Sequence, residues 1–404
     1  MRRTHATVIG LALFAAVVVA FFSLAPGIVD RRMNTIVPTT MPIVSDAGRA
    51  LHQSMFVADL HADELLWGRD PLARANHGHV DVPRLQDGNV ALQVFSAVTR
   101  TPRGINYDQN TGETDNILLL ALAQRWPVAT WRSLRARALY QAARLHDAAA
   151  KSHGVLVVIT SREQLAQFAT ARGAAPSESA TDRTGPRVAV AGLLAIEGLH
   201  ALDGQLGSVD TLFAAGYRMM GLTHFFDNGV ASSAHGVLHA GLTPFGRTVI
   251  ARMESLGIIV DLAHSSPQTV VDVLAIATRP MVVSHTGVAA TCPGPRNLTD
   301  EQLRAIAAKG GLIGIGYWDG AVCTLGVESV VRAIIHAARV MGAEHVALGS
   351  DFDGATHMPF DTGALSRITD GLLTAGMSAA DVRRVMGRNV LEFLSRALPS
   401  SSAP

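Results

Sequence analysis

Lysine is nearly missing from this chain. Only Lys151 and Lys309 occur, and arginine carries the rest of the positive charge. Net charge is missing too: 34 Lys and Arg stand against 33 Asp and Glu, a formal balance of +1. That leaves no field to draw in a polyanion, and with aromatics at 5% there is no basic stripe interleaved with rings, so nucleic acid is excluded as a partner. Cysteine is reduced to Cys292 and Cys323, which stay free thiols in a reducing compartment and can bond only in an oxidising one. No repeat of fixed period is found, which argues against a solenoid or propeller.

What is present is a chain of 404 residues, 48% hydrophobic, enough for one large α/β domain or two ordinary ones. Its one long uncharged run lies at the start, from about Ala6 to Val29, behind Arg2 and Arg3. The run is long enough to span a bilayer as a helix. A secretory signal is the rival reading, but no clean small-residue cleavage site follows and Pro26 interrupts the exit near Ala25. Residues 1–32 are therefore expected to be an uncleaved signal anchor, with twin-arginine export also permitted by the Arg pair. Residues 33–46 read as a linker, 47–396 as the main folded domain and 397–404 as a disordered tail.

Within the domain, β-branched runs at 55–60, 91–97, 191–196, 218–223, 257–263, 281–284, 312–316 and 346–350 alternate with amphipathic helices such as "TPFGRTVIARMESLG". Eight such segments predict an α/β fold closed as a (β/α)8 barrel of the TIM type. The run "GVLVVIT" at 154–160 fits an added strand outside the eight, and the Ser/Ala/Pro/Gly-rich stretch 172–187 an exposed loop.

The chemistry lies at the ends of these segments. "VADLHADELLW" (57–67) sets His61 and Asp63 two apart, on one face of a strand. Glu197, His224, His264, His285 and Asp351 end five more segments. One such histidine signifies little; six strand ends in the same register converge on the face where a barrel builds its active site. Three His, one Asp and one Glu make two N/O metal sites if a carboxylate bridges them, which suits a pair of Zn²⁺ ions. Some barrel hydrolases bridge with a carboxylated lysine, but neither lysine here lies near a strand end, and Glu197 is the bridge by elimination. Two metals so placed would hold a hydroxide nucleophile and polarise a carbonyl.

In order along the chain, "DLHAD", "HVDVPRLQDGNVALQVFS", "IEGLHALDG", "GLTHFFDN", "GLTPFGRTVI", "GIIVDLAHSS", "VVSHTG", "RNLTD", "GSDFDG" and "GRNVLEFL" resemble the membrane (renal) dipeptidase family, a metallopeptidase branch of the amidohydrolase superfamily. The resemblance spans about residues 55–395. It implies two zinc ions per chain, one on His61, Asp63 and Glu197, the other on Glu197, His264 and His285. It further implies that His224 faces the substrate carbonyl, that Arg296 clamps the terminal carboxylate, and that Asp351 orients the nucleophile and handles its proton or the substrate's amino group. Cys292 and Cys323 sit where family members place a disulfide, which agrees with an exported, membrane-anchored protein whose catalytic domain is outside the cytoplasm. Where relatives have a Gly-Gly pair, this chain has Ala91-Leu92, which leaves side-chain preference open.

Other polar residues are expected to play supporting parts. Asp59 is placed either to hold a ligand imidazole in its tautomer or to cap a strand end. His200 is expected to be structural, and His77, His79, His235 and His239 to brace loops, His79 closest to the site. The expected partners are a dipeptide substrate, the membrane through the N-terminal segment and, as an option, a second copy in a homodimer. Competing readings are a barrel amidase acting on N-acyl amino acids or other small carboxylated amides, and a catalytically dead barrel kept for binding.

Overall fold

A computed structural model describes residues 2–174 and 189–401. Nine parallel strands alternate with helices: β1 Val57–Ala62, β2 Val90–Val98, β3 Leu156–Val158, β4 Val190–Glu197, β5 Tyr217–Gly221, β6 Ile259–Asp261, β7 Val282–Thr286, β8 Leu312–Ile315 and β9 Val346–Leu348. All but β3 form a closed ring. β9 returns to β1 through Leu348 and Asp59, and β2 meets β4 in unbroken register from Leu92–Ala191 to Val98–Glu197. β3 borders only the start of β4, and β5 takes over that edge from Leu194 onward. The expected (β/α)8 barrel and the added strand are thus both present.

Local chemistry sets where the covering helices begin and end. Thr243 caps the helix Pro244–Leu256 by accepting from the Gly246 amide, Pro244 presets the first turn, and Gly257 ends it at φ 73°. Helix Val327–Met341 buries Val330, Ile334, Ala337 and Met341, the three-and-four spacing of a face turned to the sheet. Apolar side chains of the strands, among them Leu60, Leu193, Met219 and Ile259, share one cluster with Val390, Phe393 and Leu394 of the C-terminal helix Asn389–Ala397.

Three expectations about the periphery need correction or limits. The tail is anchored rather than disordered as far as Ser401. Leu398 is fully buried in that same cluster, Pro399 O accepts from the Arg162 amide, and Ser401 N donates to Glu163. Nor is the segment 33–46 a free linker: Asn34 is buried, and Thr35–Ile36 pair in parallel with His357–Met358. Of the stretch 172–187, the first residues complete the helix Arg162–Ala174 and the remainder lies outside the described residues.

Helix α1 (Arg2–Met33) contains Leu11–Met33, long and apolar enough to cross a membrane. Its far end packs on the domain, where Asp30 is buried.

Candidate metal centre and active site

The strand-end residues converge. β1 brings His61, and the chain then leaves the strand at a register irregularity, so that Asp63 opens the short helix Glu64–Leu66. Their facing atoms, His61 Nε2 and Asp63 Oδ1, lie 3.4 Å apart. The shared direction expected from alternation is reached through a turn, not through pleat geometry alone. Glu197 ends β4, and His264 follows β6 with φ +60°; Asp351 follows β9 with φ +61°. Left-handed backbone at two non-glycine residues of one site is the kind of local strain that surrounding structure must impose.

Glu197 is the hub. Its Oε1 lies 3.1 Å from His285 Nε2, 3.3 Å from His61 Nε2 and 3.5 Å from His264 Nε2, while its Oε2 lies 2.9 Å from His224 Nε2. His264 Nε2 and His285 Nε2 face each other at 3.1 Å, and Asp351 Oδ1 stands 4.0 Å from His61 Nε2. All seven side chains are buried. His61 Nε2, Asp63 Oδ1 and Glu197 Oε1 have no hydrogen-bond partner, although burying such atoms unpaired is costly. Three groups of donors each fall within 4.8 Å of one another: His61, Asp63 and Glu197; Glu197, His224 and His264; His61, His285 and Asp351. Unpaired lone pairs pointed at one another from carboxylates and imidazoles are what a cation centre requires, so these residues fit a metal.

In the protein alone, the buried carboxylates draw positive charge onto the nearest imidazole, the place a cation would take. Burial would lower the His61 imidazole, but the charges of Glu197 and Asp63 raise it to about 10. Burial and the Glu197 charge raise Asp63 to about 6. Against its burial, His224 and His61 hold Glu197 well below the usual carboxylate range. Burial puts Asp351 well above that range, and it puts His264 and His285 well below the usual imidazole range, which leaves their nitrogens free as donors to a metal.

A further layer orients these ligands. Ser284 Oγ donates to Asp261 Oδ2 at 2.5 Å and lies 2.9 Å from His285 Nδ1 and 3.4 Å from His61 Nδ1. Sequence reasoning did not single out either residue; the signal available was a carboxylate and a hydroxyl placed just before His264 and His285 in "VDLAH" and "VVSH". Asp59 takes the second of its two expected parts. Its Oδ1 accepts from the His61 and Ser350 amides at 2.9 and 3.1 Å, bracing two strand ends, and its hydrogen bonds go to these amides, not to a ligand ring. His79 braces as expected, receiving the Asp353 amide on Nδ1 and standing 3.3 Å from Thr35 O through Nε2. His77 reaches Asp30 and His235 reaches Tyr107 O, while His239 lies beside Gln109. His200 is half-buried, its ring 4.8 Å from that of Phe226 and both ring nitrogens enclosed.

Arg296 lies beside the cluster. Its guanidinium sits over the Trp318 ring at 4.7 Å and donates through Nη2 to His285 O at 3.0 Å; Nε is buried without a partner. Burial pushes it below the usual arginine range, with the Asp351 charge opposing. Among the described residues no carboxylate forms an ion pair with it. Cys292 and Cys323 are bonded, tying the loop after β7 to the turn after β8.

Comparisons with known proteins agree with this geometry. The chain is 34% identical over 215 residues to an uncharacterised protein of Klebsiella pneumoniae, covering 49% of this chain and 79% of that one. It is 33% identical over 215 residues to the dipeptidase tcpJ of Claviceps purpurea, half of each protein. Its fold resembles the crystal structure of a metallopeptidase from Rhodobacter sphaeroides liganded with a phosphinate mimic of the dipeptide L-Ala-D-Ala, at TM-score 0.69 and 22% identity over 85% of this chain and 99% of that one. The family model for membrane dipeptidase (peptidase family M19) matches residues 46–400, nearly the whole barrel domain. The chain therefore belongs to the membrane dipeptidase family and is a metal-dependent dipeptidase.

Proposed function

We propose that the protein hydrolyses the peptide bond of free dipeptides with two zinc ions, one held by His61, Asp63 and Glu197, the other by Glu197, His264 and His285. The observation that carries this reading is the approach of three imidazole Nε2 atoms to the single unpaired oxygen Glu197 Oε1 at 3.1–3.5 Å. When bound, the pair of cations supplies Lewis acidity at the scissile carbonyl and a hydroxide nucleophile near neutral pH. The remaining work belongs to the chain. His224 donates to the carbonyl oxygen as charge builds there. Arg296, a buried cation without a carboxylate partner, binds the substrate's terminal carboxylate. Asp351, buried with its Oδ1 4.0 Å from His61 Nε2, takes up the nucleophile's proton and passes it to the leaving amine.

The same reading makes α1 a retained anchor with the catalytic domain outside the cytoplasm, in keeping with the bonded Cys292–Cys323 pair, which a reducing compartment would not maintain. A panel of dipeptides, dipeptide amides and N-acyl amino acids, assayed with and without chelator, tests the proposal. Chelator-sensitive hydrolysis of dipeptides with a free amino group and a free carboxylate is expected. Equal turnover of N-blocked substrates would replace it with an acyl-amino-acid amidase.

A further inference from the structure

The exposed apolar side chains of the catalytic domain are gathered in one place. Among the described residues past 43, every large one, Val271 aside, lies in two loops: 99–133 after β2 and 222–243 after β5. Val128 is 68% exposed, Leu238 67%, Leu119 47% and Trp131 37%. Both loops leave the C-terminal strand ends, the end that carries the metal ligands. They also bond to each other, Asn110 N to His235 O at 2.7 Å, and so make one rim at the mouth of the site.

Helix α1 is fastened at this same end. Asp30 pairs with Arg69 at 2.9 Å, and Arg31 Nη2 donates to Asn76 at 3.1 Å, both partners in the loop after β1. The following Thr35–Ile36 joins His357–Met358 in the loop after β9. There is no slack, because buried Asn34 donates back to Asp30 at 2.8 Å. From Val29, the last residue of the apolar run, to Met33 the helix advances only about 6 Å, comparable with a headgroup layer of roughly 5–8 Å. Helix α1 also packs against α2 (Asn116–Ala123), which lies within the first rim loop.

Around Val128 and Trp131 the charge pattern matches a lipid surface, the acidic residues of the rim, Asp108, Glu113, Asp115 and Asp227, lying elsewhere in its two loops. From Asn116 to His146 no acidic residue occurs, and exposed Arg125 and Arg132 flank Val128 and Trp131. Tryptophan with arginine beside apolar side chains is the composition of an interfacial segment, and the cations favour anionic headgroups.

We propose that the rim formed by 99–133 and 222–243 rests in the interface of the bilayer that α1 crosses. Val128, Trp131 and Leu238 enter the acyl-chain boundary, Arg125 and Arg132 meet anionic headgroups, and the catalytic mouth opens onto the headgroup layer. This rests on the reading of α1 as a retained anchor.

The test uses the full chain in vesicles of phosphatidylcholine and phosphatidylglycerol. Trp67, Trp126 and Trp318 are buried, so Trp131 is the exposed indole that lipid can reach. Acyl-chain-brominated lipid should quench a component of the fluorescence that is lost in Trp131→Phe. Val128→Glu should abolish that quenching while leaving dipeptide hydrolysis in detergent at the wild-type rate. Protein that floats with the vesicles yet shows no Trp131 quenching overturns the proposal and leaves the anchor standing. Protein that fails to float overturns both. Shielding of Trp131 from acrylamide that follows protein concentration in detergent, not lipid, overturns it in favour of a second copy covering the rim.

Discussion

Replacing Arg296 tests the proposed carboxylate clamp. A substrate carboxylate bound to this guanidinium makes charge-assisted hydrogen bonds worth roughly 1.5–3 kcal/mol, or about ten- to a hundredfold in kcat/KM. Arg296→Ala should lose that factor for a dipeptide acid. Arg296→Lys keeps a charge but neither the fork nor the flat face over Trp318, so it should recover only part. The dipeptide amide is the control: wild type should turn it over poorly, and Arg296→Ala should treat acid and amide nearly alike. Because Arg296 also donates to His285 O, each variant's metal content must be measured alongside the rates. Stability offers an independent check. With no ion pair among the described residues, Arg296→Ala should cost less than the about 3–5 kcal/mol expected when a buried pair is broken. Wild-type enzyme that cleaves the amide as fast as the acid would refute the clamp.

Other expectations follow from neighbouring contacts. Asp261→Asn or Ser284→Ala, which release the Nδ1 sides of His285 and His61, should weaken metal binding about 10–100-fold in chelator competition with the circular dichroism unchanged; elemental analysis of active wild type should find two metal ions per chain. Cys292 and Cys323 should resist thiol labelling until reduced, and opening the bond, which spans 31 residues, should cost about 3–4 kcal/mol in denaturant unfolding. Asp353 is fully buried, 2.7 Å from Arg69 Nη2, and accepts from the His79 amide. Against burial, Arg69 and His79 hold its carboxyl well below the usual range. Its contribution should therefore be complete above the unfolded value near about 4 and be lost as pH falls toward the folded one; in Asp353→Asn that part of the acid-side decline should vanish, with a loss of about 3–5 kcal/mol at neutral pH.

Much of this protein was written locally. Short apolar, β-branched runs marked each barrel strand, caps such as Thr243 and Gly257 bounded helices, and the polar residues ending six strands named the metal-centre candidates before any contact was known, because such signals act over a few residues. What local signals could not carry was which ends meet. The ring closes when Leu92 pairs with Ala191, and only that closure brings Glu197 to His61 and sets Ser284 between Asp261 and two imidazoles. Asp59 had two chemically sound parts, and the position of the Ser350 amide chose between them. Composition misread the tail and the segment 33–46 for the same reason. Leu398 and Asn34 are buried by partners far away in sequence, and a residue's polarity does not reveal whether the fold will supply it a neighbour.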